Sequence, residues 1–149
     1  MVFSIALRIL GDHSFAEEVA QDVFMELHTK LGELSSAEHV LHWLRRVTVH
    51  RSIDQVRRRD RCSEVAMDTD DLPEFAIDYE PGDPLLSRQL KQLVGSLPPV
   101  PRTVLILRYQ EDMSPEEISN VLEMPVATVK SHLQRTLRLL RDKAARVLR

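Results

Sequence analysis

Two small all-α domains joined by a flexible acidic linker are what the sequence predicts, and three observations carry that prediction. The composition disfavours strands: aromatic residues make up 5%, with 4 Gly against 8 Pro in 149 residues, whereas barrels and sandwiches draw on more strand formers and turn glycines. Helix-start patterns, each followed by an apolar stripe of helical period, recur along the chain. Between two such groups, residues 62–84 show no period and hold a block of acids, as a solvated linker does.

The first element is Val2 to Leu10, apolar almost all round and ended by Gly11-Asp12. Ser14-Phe15-Ala16-Glu17 has the form of a capping box. The helix it opens places Val19, Val23, Phe24, Leu27 and Leu31 on one apolar face. Glu17, Glu18, Asp22 and Glu26 fall on other faces, and Gly32 ends the helix. A second box follows at Ser35-Ser36-Ala37-Glu38. Its helix points Val40, Leu44, Val47, Ile53 and Val56 inward.

The linker contains Asp68, Asp70, Asp71, Glu74, Asp78, Glu80 and Asp83 among Pro73, Pro81 and Pro84. It separates a first domain over 1–61 from a second over 85–149. Each is small but large enough for a compact helical unit. The second begins with a helix over 85–97, its stripe made by Leu86, Leu90, Leu93 and Val94. Prolines 98, 99 and 101 break it, and helix resumes from Arg102 to Tyr109. Ser114-Pro115-Glu116-Glu117 is the clearest local signal: a capping Ser, Pro at the first helical position and Glu at the third. Ile118, Val121 and Leu122 form the inner face of its helix. After Glu123-Met124-Pro125 a last helix runs from Val126, with Val129, Leu133, Thr136, Leu137 and Leu140 inward.

Charge follows the same division. The net charge of −3 reads at first as evidence against a nucleic-acid partner. Its distribution reverses that reading. Residues 41–63 hold seven arginines (Arg45, Arg46, Arg51, Arg57, Arg58, Arg59 and Arg61) against Asp54 and Asp60. Residues 126–149 hold seven bases against Asp142 alone. Residues 64–83 hold eight acids and no base. The density of the first basic block points to phosphate contact and to binding that falls steeply with salt.

A short helix, a turn of about three or four residues and a longer basic helix form the helix-turn-helix pattern. The outer face of the second helix presents Thr128, Lys130, Ser131, Gln134, Arg135 and Arg138. These are side chains of the kind that hold phosphates and read base edges. On the residues alone, an autonomous repressor or activator built on this unit, and a protein-interaction module, are both open readings.

Other chemistry finds no support. One cysteine, Cys62, excludes a disulfide within the chain and suits a reducing cytoplasm. It has no catalytic neighbours in the sequence, and neither a phosphate loop nor a Ser-His-Asp pattern is present. His39 and His42 lack a carboxylate or cysteine at a closing spacing, so packed or surface histidines are expected, and no metal. The linker acids lack the pattern of a calcium loop. The apolar start is too short to span a bilayer and lacks a basic leader, so neither membrane insertion nor a signal peptide is expected.

With these motifs in order, nearly the whole chain resembles the sigma factors of bacterial RNA polymerase, specifically the small extracytoplasmic-function (ECF) group of the sigma-70 family. Residues 16–27, Ala-Glu-Glu-Val-Ala-Gln-Asp-Val-Phe-Met-Glu-Leu, resemble the family's second conserved region. The resemblance implies that this acidic helix docks on a coiled coil of the polymerase largest subunit through Asp22, Val23, Phe24 and Glu26. Trp43-Leu44-Arg45-Arg46 through Ile53-Asp54-Gln55-Val56-Arg57-Arg58-Arg59 resembles the part of that region which reads and opens the minus-10 element. It implies DNA roles for Trp43, Arg46, His50, Arg51, Asp54, Arg57 and Arg58. Trp43 fits a core anchor as well as a stacking surface for unpaired bases.

Leu97-Pro98, Arg102, Leu107-Arg108-Tyr109, Ser114 to Ile118 and Pro125 to Arg135 resemble the fourth region. It implies minus-35 recognition by Thr128, Lys130, Ser131, Gln134, Arg135 and Arg138. The implied partners are core RNA polymerase, promoter DNA and an anti-sigma factor; no cofactor and no catalytic residue are implied. Three departures stand out. The family commonly runs one or more helical turns ahead of the position of Met1, so the first helix reads as short. His50 stands where Asn is common, and Ala127 where Gly is common.

Overall fold

The computed structural model describes residues 1–63 and 84–147. Among them are seven α-helices, one 3₁₀ turn and no strand. The described residues divide into two compact units, one over 1–63 and one over 84–147. The expectations for the linker acids and for the side chains of Cys62 and Leu86 lie outside the described residues.

The first unit is built on α1 (Val2–Leu10), α2 (His13–Lys30) and α3 (Ala37–Ser63), with a 3₁₀ turn over Leu31–Glu33. Helix α1 is the central one. Val2, Ile5, Ala6, Leu7, Ile9 and Leu10 are all buried, which explains a segment apolar on every side. It meets Ala16, Val19, Ala20 and Val23 of α2, and Val49, Ile53 and Val56 of α3. Each such aliphatic side chain contributes about 1.5–3 kcal/mol by leaving water. Gly11 closes α1 at φ 69°, its N–H donating to the Leu7 carbonyl. That left-handed position favours glycine because it has no Cβ to clash.

Both helix starts in this unit differ from the sequence expectation by one or two residues. Asp12, not Ser14, caps α2: its extended backbone lets Oδ1 accept from Phe15 N–H at 3.0 Å. Helix α3 is capped by Ser36, whose Oγ accepts from His39 N–H at 3.1 Å. His39, at the third helical position, takes the place expected for Glu38, its Nδ1 accepting from Ser35 N–H at 3.3 Å. His39 is therefore part of a helix start. The apolar face of α2 is also narrower than expected. Phe24 and Leu31 are each 52% exposed, because only one side of α2 faces α1 and α3.

The second unit comprises α4 (Pro84–Gly95), α5 (Pro99–Tyr109), α6 (Pro115–Leu122) and α7 (Val126–Val147). Helix α5 begins three residues earlier than Arg102. Pro99 and Pro101 lie in its first turn, where backbone N–H groups have no intrahelical partner to lose. Val104, Leu105, Ile106 and Leu107 are buried against α6 and α7. Leu90, expected on the inner stripe of α4, is 42% exposed. Arg102 is 6% exposed, and its Nη2 donates to Gly95 O at 2.9 Å and Leu97 O at 2.8 Å. An arginine of α5 thus closes the end of α4.

Candidate nucleic-acid interfaces

In the second unit the capping box at Ser114 is formed as expected. Its Oγ accepts from Glu117 N–H at 3.2 Å and lies 3.3 Å from Glu117 Oε1, with Pro115 first in the helix. Ile118, Val121 and Leu122 are buried. Glu123 then turns the chain at φ 56° and ψ 45°, its N–H donating to Ser119 O. Ser119 Oγ donates to Met124 O at 2.5 Å and tightens the same turn. Pro125 leads into α7, where Val129 is fully buried and Thr136 is 3% exposed.

The burial of Val129 and Thr136 fixes which side of α7 looks out. Thr128, Lys130, Gln134, Arg135 and Arg138 are exposed, and Ser131 is half-buried beside them. These six share the side opposite the buried stripe, as helical geometry requires. A basic, hydroxyl-bearing and amide-bearing face of this length matches a recognition helix for the major groove. Lys143 Nζ donates to Ser96 Oγ at 2.8 Å, tying the later part of α7 to the end of α4.

The first unit presents a second basic helix, α3. Thr48, Val49, Ser52, Ile53 and Val56 form its buried side. Trp43, Arg46, His50, Asp54, Arg57 and Arg58 recur at spacings of three and four on the opposite side. Arg46, Asp54, Arg57 and Arg58 are exposed, while Trp43 and His50 are half-buried.

Arg59 and Arg51 of this block make bonds to other helices of the unit. Arg59 Nη1 donates to Leu10 O at 2.7 Å, closing the end of α1, and its guanidinium lies 5.9 Å from the Phe15 ring centre. Arg51, which the resemblance sets among the DNA residues, reaches to the acids of α2. Its Nε and Nη2 donate to Glu26 Oε2 at 3.1 and 2.6 Å, and its Nη1 is 3.9 Å from Asp22 Oδ2. Asp22 and Glu26 belonged to the polymerase set, so the structure joins residues from two expected sites.

The rest of the docking set divides. Val23 has no exposed surface. It packs in the core of the unit and positions α2. Phe24 is open, and with Phe3, Glu17, Ala20, Gln21 and Met25 it lines a groove between α1 and α2. Met25, which the sequence reading did not single out, is 71% exposed. The sequence signal is Val23-Phe24-Met25, three apolar residues in succession, spread over more of a helix than one face buries. Among the described residues no three acids, histidines or cysteines gather as metal ligands.

The comparisons with known proteins follow the same division. The family model described as Sigma-70 region 2 matches residues 1–62, and that described as Sigma-70, region 4 matches residues 87–140. The chain is 29% identical to the ECF RNA polymerase sigma factor SigW of Bacillus subtilis over 95% of its own length and 82% of the relative's. It is 32% identical to ECF sigma factor SigE of Mycolicibacterium smegmatis, over 97% of this chain and 58% of the relative. Among solved structures, the sigma factor RpoE of Bartonella quintana, crystallised with the anti-sigma factor NepR, has a TM-score of 0.70 at 20% identity. That likeness covers 95% of this chain and 88% of RpoE. With two region models in chain order on two helical units, the chain belongs to the sigma-70 family, in its ECF group.

Proposed function

We propose that the first unit carries the polymerase-docking and minus-10 surfaces, and that the second reads the minus-35 element through α7. As an ECF sigma factor the chain directs promoter-specific initiation of transcription. The observation that carries the assignment of the second unit is the outer face of α7. Lys130, Gln134, Arg135 and Arg138 stand exposed directly after the turn of a helix-turn-helix. A bidentate Gln or Arg on a base edge supplies about 1–3 kcal/mol of discrimination.

In this reading the first unit uses both sides of its fold. The exposed Asp22 and Phe24 of α2 face the polymerase, and Arg46, Asp54, Arg57 and Arg58 of α3 face DNA. Trp43 and His50 lie on the same side, placed to meet bases once strands separate. Two weak DNA modules on one chain gain from effective concentration. The covalent chemistry is the polymerase's, and the protein acts in the cytoplasm, where polymerase and promoter are found. An anti-sigma factor is a further partner in this proposal, by likeness to the complex of RpoE with NepR.

Transcription in vitro tests it directly, using sigma-free core polymerase and a promoter library, with and without this chain. Initiation is expected only when both are present. Replacing Gln134→Ala together with Arg135→Ala is expected to abolish minus-35 selectivity while core binding persists. Sequence-specific DNA binding that ignores core polymerase would instead favour an autonomous regulator.

A further inference from the structure

We propose that Arg51 is held in reserve by the acids of α2, and that a basic partner taking those acids frees it for DNA. The bridge then couples docking on one helix to DNA binding on the next. This rests on the reading of α2 as the docking helix and α3 as a DNA helix.

The geometry supplies each part. Both short Arg51 bonds, 3.1 and 2.6 Å, fall on one oxygen, Glu26 Oε2, with Asp22 Oδ2 at 3.9 Å. The guanidinium is therefore shared by two acids that the same partner would engage. The side chains are 41% exposed for Arg51, 33% for Glu26 and 52% for Asp22. A partly solvated bridge opens at small cost, whereas a buried one would hold its arginine against any surface competitor.

Arg51 lies at the edge of the α3 stripe, with Asp54 and Arg58 one and two turns further along on neighbouring positions. A long side chain fixed there at Cβ swings from α2 towards the DNA side by rotation alone. Only a ligand with different affinity for the two arrangements shifts them, and a basic docking surface has that property. Linkage makes the coupling reciprocal: DNA that captures Arg51 frees Asp22 and Glu26 for docking.

The test is a mutant cycle on the full chain, read by fluorescence anisotropy with a labelled random-sequence duplex across a salt series. No polymerase is present. Glu26→Ala is expected to tighten binding about fivefold at low salt, the lower end of ordinary coupling. It should also steepen the logarithmic salt dependence by about one, for one added phosphate contact. In an Arg51→Gln background the same change is expected to give no added slope. An equal gain in both backgrounds overturns the proposal, since removal of any acid would then suffice, and so does no gain in the native background. The pair Glu26→Gln with Asp22→Asn repeats the test at native side-chain volume, with circular dichroism confirming the helices. Core-polymerase binding is measured separately. A chain that shows the cycle but does not bind core overturns the docking reading and leaves the bridge intact.

Discussion

Helices α3 and α7 carry basic blocks of similar size, yet the two units spend them differently. In α3, Arg51 is bonded to Glu26 and Arg59 to the end of α1, so part of the block holds three helices together. In α7 the outer residues Lys130, Arg135 and Arg138 stand exposed. The second unit takes its structural arginine from elsewhere: Arg102 of α5 closes α4 as Arg59 closes α1. Each unit thus reserves one arginine for an orphaned helix terminus, where carbonyls lack intrahelical partners. Charge density along a sequence is therefore an upper bound on charge available to DNA.

The comparison of the two capping arginines is the first to break. Arg102→Ala removes two charged hydrogen bonds from a side chain only 6% exposed and is expected to cost the second unit about 3 kcal/mol. Arg59→Ala acts at a half-buried site with one bond and a ring contact, and is expected to cost the first unit about 1–2 kcal/mol. Denaturant titrations followed by circular dichroism check both. Equal costs would show that burial does not set the difference.

A smaller effect of opposite sign is expected at the turn of the helix-turn-helix. Glu123→Gly relieves a left-handed backbone at φ 56° and should stabilise the second unit by about 1 kcal/mol. A lowered melting temperature would mean that the Glu123 side chain outweighs its strain. The smallest effect separates the structural arginine of α3 from the exposed ones proposed to face DNA. Arg57→Ala and Arg58→Ala are each expected to lower the salt slope of DNA binding by about one and to leave the melting temperature unchanged. Arg59→Ala should do the reverse. A slope that responds equally at all three positions would erase the distinction.

Much of the fold was legible because its signals are local. The capping box at Ser114, the proline after it and the stripe Ile118, Val121, Leu122 involve neighbours within two turns. The basic outer face of α7 follows from the same periodicity. Where competing caps stood close together, as with Asp12 and Ser14, pattern alone misplaced the start by up to two residues. For Trp43 and His50 the resemblance implied DNA roles, but it did not show that their side chains are half-buried.

By itself the sequence determined the seven helices of the described residues, their division into two units and the side of α7 that looks outward. Capping, proline placement and helical period act over a few residues, and the order of residues records them directly. Only the tertiary structure decided which arginines serve the fold, which acids are already engaged and which apolar residues of α2 stay open. Those facts depend on partners 25 and 49 residues away, Glu26 for Arg51 and Leu10 for Arg59. A bond across that separation exists only once α1, α2 and α3 have packed, because packing alone brings such distant groups within reach.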